Sequence, residues 1–187
     1  MNTKNKFLST RNLCILGLMT ALVYVMTMVH IDIPSPLGKA MIHFGNIMCL
    51  LSALLFGPGL GAIAAGAGSG LFDLMDPVFA PTFWITMITK AIMALVAGLI
   101  MHKVRFGKDS VRVWIAGLCG SVTYCVLYVT KNILEGALVK GFSWKVAITE
   151  TLITKVPVTL FNGVVAVICA GVLTLSLRPA LRRAKLL

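Results

Sequence analysis

Charge is scarce in this chain. Asp, Glu, Lys and Arg make up 12% of the 187 residues, about half the share found in soluble domains. Only six residues are acidic, against 17 lysines and arginines. Hydrophobic residues reach 58%. This composition excludes an ordinary water-soluble domain and identifies a polytopic membrane protein, expected as a single integral membrane domain over 1–187. The formal net charge of +11 does not indicate nucleic acid, because the basic residues sit in short clusters between apolar runs, where topology signals belong.

Several chemical signatures are missing as well. There is no GxxxxGK[ST] loop, so the chain does not hydrolyse ATP by that route. There is no HExxH and no CxxC. The five cysteines (Cys14, Cys49, Cys119, Cys125, Cys169) lie in apolar stretches without metal spacing and read as reduced, small hydrophobes. No cofactor or metal is expected. Gly68-Ser69-Gly70 is faintly like an intramembrane serine-protease site. None of His30, His43 and His102 falls on a later span facing that serine, so a Ser–His pair is not expected. No inverted repeat of the secondary-transporter kind is visible.

What is present is a set of six apolar segments: Leu13–Val29, Ala40–Phe56, Leu60–Met75, Thr82–Met101, Val113–Leu134 and Val146–Leu177. A spanning helix needs about 20 residues. The second and third segments are short, and Gly57-Pro58-Gly59 between them permits only a reversal. The polar, basic N-terminus leads into a run without a small-residue cleavage site, read as a retained first span. Eleven basic residues fall on one side: Lys4, Lys6 and Arg11, then Lys103, Arg105, Lys108 and Arg112, then Arg178, Arg182, Arg183 and Lys185. By the positive-inside rule that side is cytoplasmic. The expected fold is an all-α membrane protein, a six-transmembrane-helix bundle with N- and C-termini cytoplasmic.

Three lysines, Lys90, Lys131 and Lys155, lie inside the apolar segments and towards the same, outer surface. Asp73, Glu135, Glu150, His43 and Asn46 gather there too. A charge in lipid costs about 2.5–3.5 kcal/mol on insertion scales, so it is rarely present without a partner or a task. Helical spacing puts Tyr124, Tyr128, Lys131, Asn132 and Glu135 on one face of the fifth span. Thr151, Lys155, Thr159 and Asn162 share a face of the sixth, and Thr86 and Lys90 one of the fourth. His43 and Asn46 sit three apart on the second. Lipid cannot satisfy such stripes, so they face each other or water. Taken singly, each residue also has a structural explanation. Lys131 and Glu135 can be a helix-end ion pair, Lys155 can snorkel to the headgroups, His43 can be an interfacial histidine, and Trp84 an interface-belt aromatic. Tyr124 and Tyr128 can wall a flat heterocycle or simply fill the core. The near balance of three lysines with three acids favours a small, polar, neutral or zwitterionic ligand over a strong anion.

Small residues carry a further signal. Gly59 to Gly70 lets another helix approach its backbone closely. Gly17 and Ala21 on the first span form a small-xxx-small pair, suited to internal packing or to a partner subunit.

Four segments carry a resemblance: Met41-Ile-His-Phe-Gly-Asn46, Ala53-Leu-Leu-Phe-Gly-Pro-Gly-Leu-Gly61, Gly68-Ser-Gly-Leu-Phe-Asp-Leu74 and Pro81-Thr-Phe-Trp-Ile-Thr-Met-Ile-Thr-Lys-Ala91. In order and spacing they resemble the substrate-binding (S) components of energy-coupling factor (ECF) vitamin transporters, including the riboflavin-transporter-like group. The resemblance implies a subunit that binds a vitamin or precursor in an outward-facing pocket of a bacterial plasma membrane. It also implies docking on a membrane coupling protein driven by two cytoplasmic ATPases. Gly17 and Ala21 match the family's AxxxA docking motif with a Gly in place of the first Ala. The loop Val29–Lys39, with Pro34 and Pro36, matches the gating loop. Expected ligand contacts are Lys90, Tyr128, Lys131, Asn132, Lys155, Asn162, His43 and Asn46. The alternative is a stand-alone ion-coupled secondary transporter of a small polar solute, using Lys90 and an acid as a proton relay. Pyridoxine-like compounds, a thiamine pyrimidine, riboflavin and pantothenate remain open as cargo.

Overall fold

A computed structural model describes residues 9–35, 38–104 and 107–184. Helix α1 runs Thr10–Met28, opened by Ser9, whose hydroxyl accepts from the Asn12 N–H at 3.3 Å. Strands β1 (His30–Ser35) and β2 (Gly38–His43) follow, then α2 (Gly45–Phe56) and α3 (Pro58–Met75). A short 3-10 turn at Ala80–Thr82 leads into α4 (Phe83–Lys103), and α5 covers Asp109–Leu134. Helix α6 (Trp144–Glu150) joins α7 (Val156–Arg183) through a π turn at Thr151–Lys155, and a second π turn, Glu135–Val139, closes α5.

Two sequence expectations change here. The second apolar segment is not helical from Ala40. Residues up to His43 pair with β1 in antiparallel register, His30 opposite His43 and Ser35 opposite Gly38, and the helix starts at Gly45. A hairpin lets a segment at the end of a bundle satisfy its own backbone groups, which a bare loop would leave exposed. Among the described residues the bundle is thus helical with one small hairpin, and Pro34 lies in β1 opposite Lys39. Pro36 lies outside the described residues. The last segment is not one regular helix either. Pro157 has no N–H to give the carbonyl one turn before it, and the helix widens into the π turn at Thr151–Lys155 immediately ahead.

Gly57 makes the α2–α3 reversal possible. Its φ of 92° is open to glycine and costly for other residues, and Pro58 after it presets the first turn of α3. Further along α3, a Cβ on Gly68 would lie 2.6 Å from the Thr20 carbonyl oxygen of α1. Only glycine lets these two helices touch at that depth.

The core gathers Val23, Leu50, Leu54, Met93, Ala97 and Val113, all essentially inaccessible. The outside is apolar too. Leu118, Val122 and Val126 on α5, and Leu160, Val164 and Ile168 on α7, are each more than half exposed. Their four-residue spacing makes one continuous greasy stripe per helix, a surface suited to lipid rather than water. The segments Thr10–Met28, Ala80–Lys103, Asp109–Val139 and Trp144–Arg183 are each long and apolar enough to cross a membrane. The protein is a multi-pass membrane protein. Helix α2 has 12 residues, about 18 Å of rise, and is shorter than the roughly 30 Å hydrocarbon core.

Candidate functional site

A cavity opens at the hairpin end of the bundle, and every layer around it contributes a polar side chain. Met41 and His43 of β2 lie on one side, with Thr27 at the end of α1. Ser69 and Asp73 come from α3, and Thr86, Thr89 and Lys90 from α4. Tyr124, Tyr128 and Lys131 come from α5, and Val158, Thr159 and Asn162 from α7. The cavity volume is about 50 Å³, room for a few waters.

Lys90 is buried, 2% exposed. Its ammonium donates to the Asn46 side-chain oxygen and stands 4.0 Å from the centroid of the Tyr124 ring, a cation–π distance. Among the described residues no carboxylate lies within ion-pair distance of it. An ammonium has three donors, so Lys90 retains donor capacity towards the cavity. Asp73, 5% exposed, supplies an acceptor on the same wall. The rings of Tyr124 and Tyr128 lie 5.7 Å apart at 35°, forming a tilted aromatic platform. His43 Nδ1 accepts from the Gly45 N–H at 3.1 Å. The neutral ring therefore carries its proton on Nε2.

The hairpin is tied over this cavity at several points. Asn162 accepts from the His43 N–H at 3.2 Å and donates to the Met41 carbonyl at 2.7 Å. Lys155 donates to the Lys39 carbonyl at 2.7 Å, and the Ser35 hydroxyl donates to Glu150. The Lys39 ammonium bridges Asp32 at 2.8 Å and Asp76 at 2.7 Å. Burial works against the Lys39 charge, but the two carboxylates outweigh it and hold its pKa above the ordinary value. Burial likewise opposes the Asp76 anion, and Lys39 with the Val78 and Phe79 N–H groups still holds it below the ordinary carboxylate value.

The expected site residues divide accordingly. Lys90, Tyr128, Lys131, His43 and Asn162 line the cavity. Asn46 reaches it through Lys90. Lys131 has two roles, since it also pairs with Glu135 at 2.5 Å. Asn132 is turned to its own helix, donating to the Tyr128 carbonyl at 2.8 Å, and does not line the cavity. Lys155 lies under the hairpin, 2% exposed, and its ammonium meets backbone rather than cavity. Trp84 is half-exposed on the outside of α4. Gly17 and Ala21 open onto an apolar groove between α1 and α3, shared with Tyr24 and Leu71. Asp73 and Ser69 are cavity residues that the helical stripes alone did not select. Their signal was the Gly-Ser-Gly-Leu-Phe-Asp segment on α3. Among the described residues no group of three or more His, Cys, Asp and Glu side chains is placed to hold a metal ion.

Comparison with known proteins gives two findings. An uncharacterized protein "in gap 3'region" of Pyrococcus woesei is 45% identical over 53 residues, covering 28% of this chain and 35% of that protein. The chain thus matches about a third of the length of that relative. The family described as "ECF-type riboflavin transporter, S component" matches residues 7–179, almost the whole chain. A polar cavity enclosed by a helical membrane bundle, together with that match, makes the chain a member of the ECF-type riboflavin transporter S component family, the vitamin-specific subunits of ECF transporters.

Proposed function

We propose that this chain is the specificity subunit of an ECF importer that captures a flat, heterocyclic, water-soluble vitamin at its hairpin end. The observation that carries this is the cavity itself. A buried ammonium with no ion-paired carboxylate among the described residues, an aspartate, an imidazole and two adjacent tyrosines converge there. Riboflavin is the first candidate, on the family's description and because a neutral tricycle suits an aromatic platform with few, well-placed polar groups. The helices make six passes, with α2 and α3 as two short ones. The termini lie in the cytoplasm, where the arginine clusters are, and the hairpin faces outside.

A cavity of about 50 Å³ is far below the roughly 300–1,000 Å³ of small-molecule sites. Capture therefore requires the hairpin to lift and close again, with Lys39, Asn162 and Lys155 as its latches. Energy for release comes from a membrane coupling protein and two cytoplasmic ATPases, docked along the Gly17–Ala21 face of α1. Mass spectrometry of ligand co-purifying with the chain, followed by riboflavin fluorescence titration, tests this. One vitamin bound tightly without ATP is expected. Uptake into liposomes by this chain alone, driven by an ion gradient, would overturn it in favour of a secondary transporter.

A further inference from the structure

Two opposite charges share the hairpin-end cavity without touching. Asp73 of α3 and Lys90 of α4 are both buried and both line it. They are close enough to attract each other, yet among the described residues no ion pair includes either one. Each charge alone is costly to hold away from water, so a buried acid and base this near would ordinarily close into a pair. Asn46 holds the ammonium on one side. It accepts from Lys90, and its own amide nitrogen is left buried without a partner. On the other side Thr86, one turn before Lys90 on α4, hydrogen-bonds the Asp73 carboxylate. Neither contact exhausts its group, since an ammonium has three donors and a carboxylate about four acceptor positions.

A ligand group that enters this gap must accept from the ammonium and donate to the carboxylate. Net charge selects further. Lys131, the other charged side chain of the cavity, is already matched by Glu135 at 2.5 Å. Lys90 and Asp73 cancel, so a charged ligand group would satisfy one and oppose the other. A carbonyl beside a ring N–H, the lactam edge of an uncharged heterocycle, satisfies both. We infer that Asp73 is a specificity-determining residue: its carboxylate accepts from a ring N–H of the cargo while Lys90 donates to the adjacent carbonyl. This rests on the vitamin-capture reading above and narrows it to heterocycles that carry such an edge. Riboflavin carries one, with an imide N–H between two carbonyls. Pantothenate, which has no ring, and pyridoxine-like compounds do not. A site built to pair with a ligand N–H rejects an analogue that lacks it, because the buried acceptor is then left unmatched.

The purified full chain is titrated with riboflavin and with N3-methylriboflavin, in which the imide N–H is capped, by quenching of flavin fluorescence. The unaltered chain should bind the methylated form at least about ten-fold more weakly, the order of one hydrogen bond to a charged group. Asp73→Ala should weaken riboflavin and bring the two affinities within about three-fold of each other, because the N–H and its acceptor no longer couple. Lys90→Met should weaken both ligands alike, since both keep the carbonyl. Circular dichroism checks that each variant keeps its helix. Asp73→Asn, of the same shape without the charge, replaces Asp73→Ala if that variant does not fold, and should narrow the discrimination in the same direction. Equal binding of the two flavins by the unaltered chain overturns the inference and leaves the importer reading standing. So does an Asp73 variant that loses affinity for both in the same proportion, the mark of a merely structural acid. A different co-purifying vitamin without a ring N–H beside a carbonyl overturns it in the same way. A chain that binds no vitamin overturns the importer reading itself, and the inference with it.

Discussion

Asn162→Leu isolates the latch between α7 and the hairpin. The substitution keeps roughly the side-chain volume and removes both hydrogen bonds, to the His43 N–H and from the Asn162 amide to the Met41 carbonyl. Two neutral hydrogen bonds contribute about 0.5–1.5 kcal/mol each, so about 1–3 kcal/mol in all. The larger penalty for a stranded buried group does not apply in full, because the hairpin can open and let water pair with His43 and Met41. Opening therefore becomes about 5- to 150-fold more frequent. Hydrogen–deuterium exchange of the amides in β1 and β2 reads this directly, without any ligand. Exchange there should accelerate by that factor, while the core of α4 around Met93 stays protected. Hairpin exchange unchanged within about three-fold would show that Asn162 does not hold the lid, and that Lys39 and Lys155 suffice.

Three further outcomes are expected. Lys90→Met removes the buried donor and should weaken vitamin binding at least ten-fold, the order of a charged hydrogen bond at about 1.5–3 kcal/mol. Binding titration with the co-purified vitamin checks it, with circular dichroism confirming intact helix. The Lys39 latch should be indifferent to pH across the neutral range. The raised Lys39 pKa stabilises the closed hairpin below the ordinary value of 10.5 and is lost only as pH rises through the raised one. The lowered Asp76 pKa stabilises it above 3.8 and is lost as pH falls through the lowered one. Hairpin exchange, corrected for intrinsic rates, should be flat from about pH 5 to 9 and rise outside about pH 4 to 10.5. A step near neutrality would assign control to another group. Gly68→Val should force α1 away from α3, since a Cβ there meets the Thr20 carbonyl at 2.6 Å. A fall in the thermal midpoint of several degrees is expected by light-scattering-corrected unfolding, and an unchanged midpoint would show that the two helices are not held that close.

The stripes on the apolar helices were readable because a helix repeats every 3.6 residues and lipid excludes unpaired polar groups. Lys90, Tyr128 and Lys131 were found that way, and Tyr124 with them. The same rule cannot say how far a stripe rotates at its end. The π turn at Thr151–Lys155 shifts the phase of α7 by part of a turn. Lys155 is thereby set under the hairpin while Thr159 and Asn162 still reach the cavity. The hairpin was hidden for another reason. Ala40-Met-Ile-His43 is apolar enough to continue a helix, and only its pairing with His30–Ile33 makes it a strand.

Composition and patterning alone established a multi-pass helical membrane protein with a polar cluster at one end and arginine clusters at the other, because burying charge in lipid is costly at every position. Which members of that cluster touch a common space depended on contacts between residues far apart in the chain. Asn46 is spoken for by Lys90 across 44 residues, Lys155 by Lys39 across 116 and Asn162 by Met41 across 121. Local spacing carries no information about such pairings, which arise only when the helices pack and each buried donor takes the nearest acceptor.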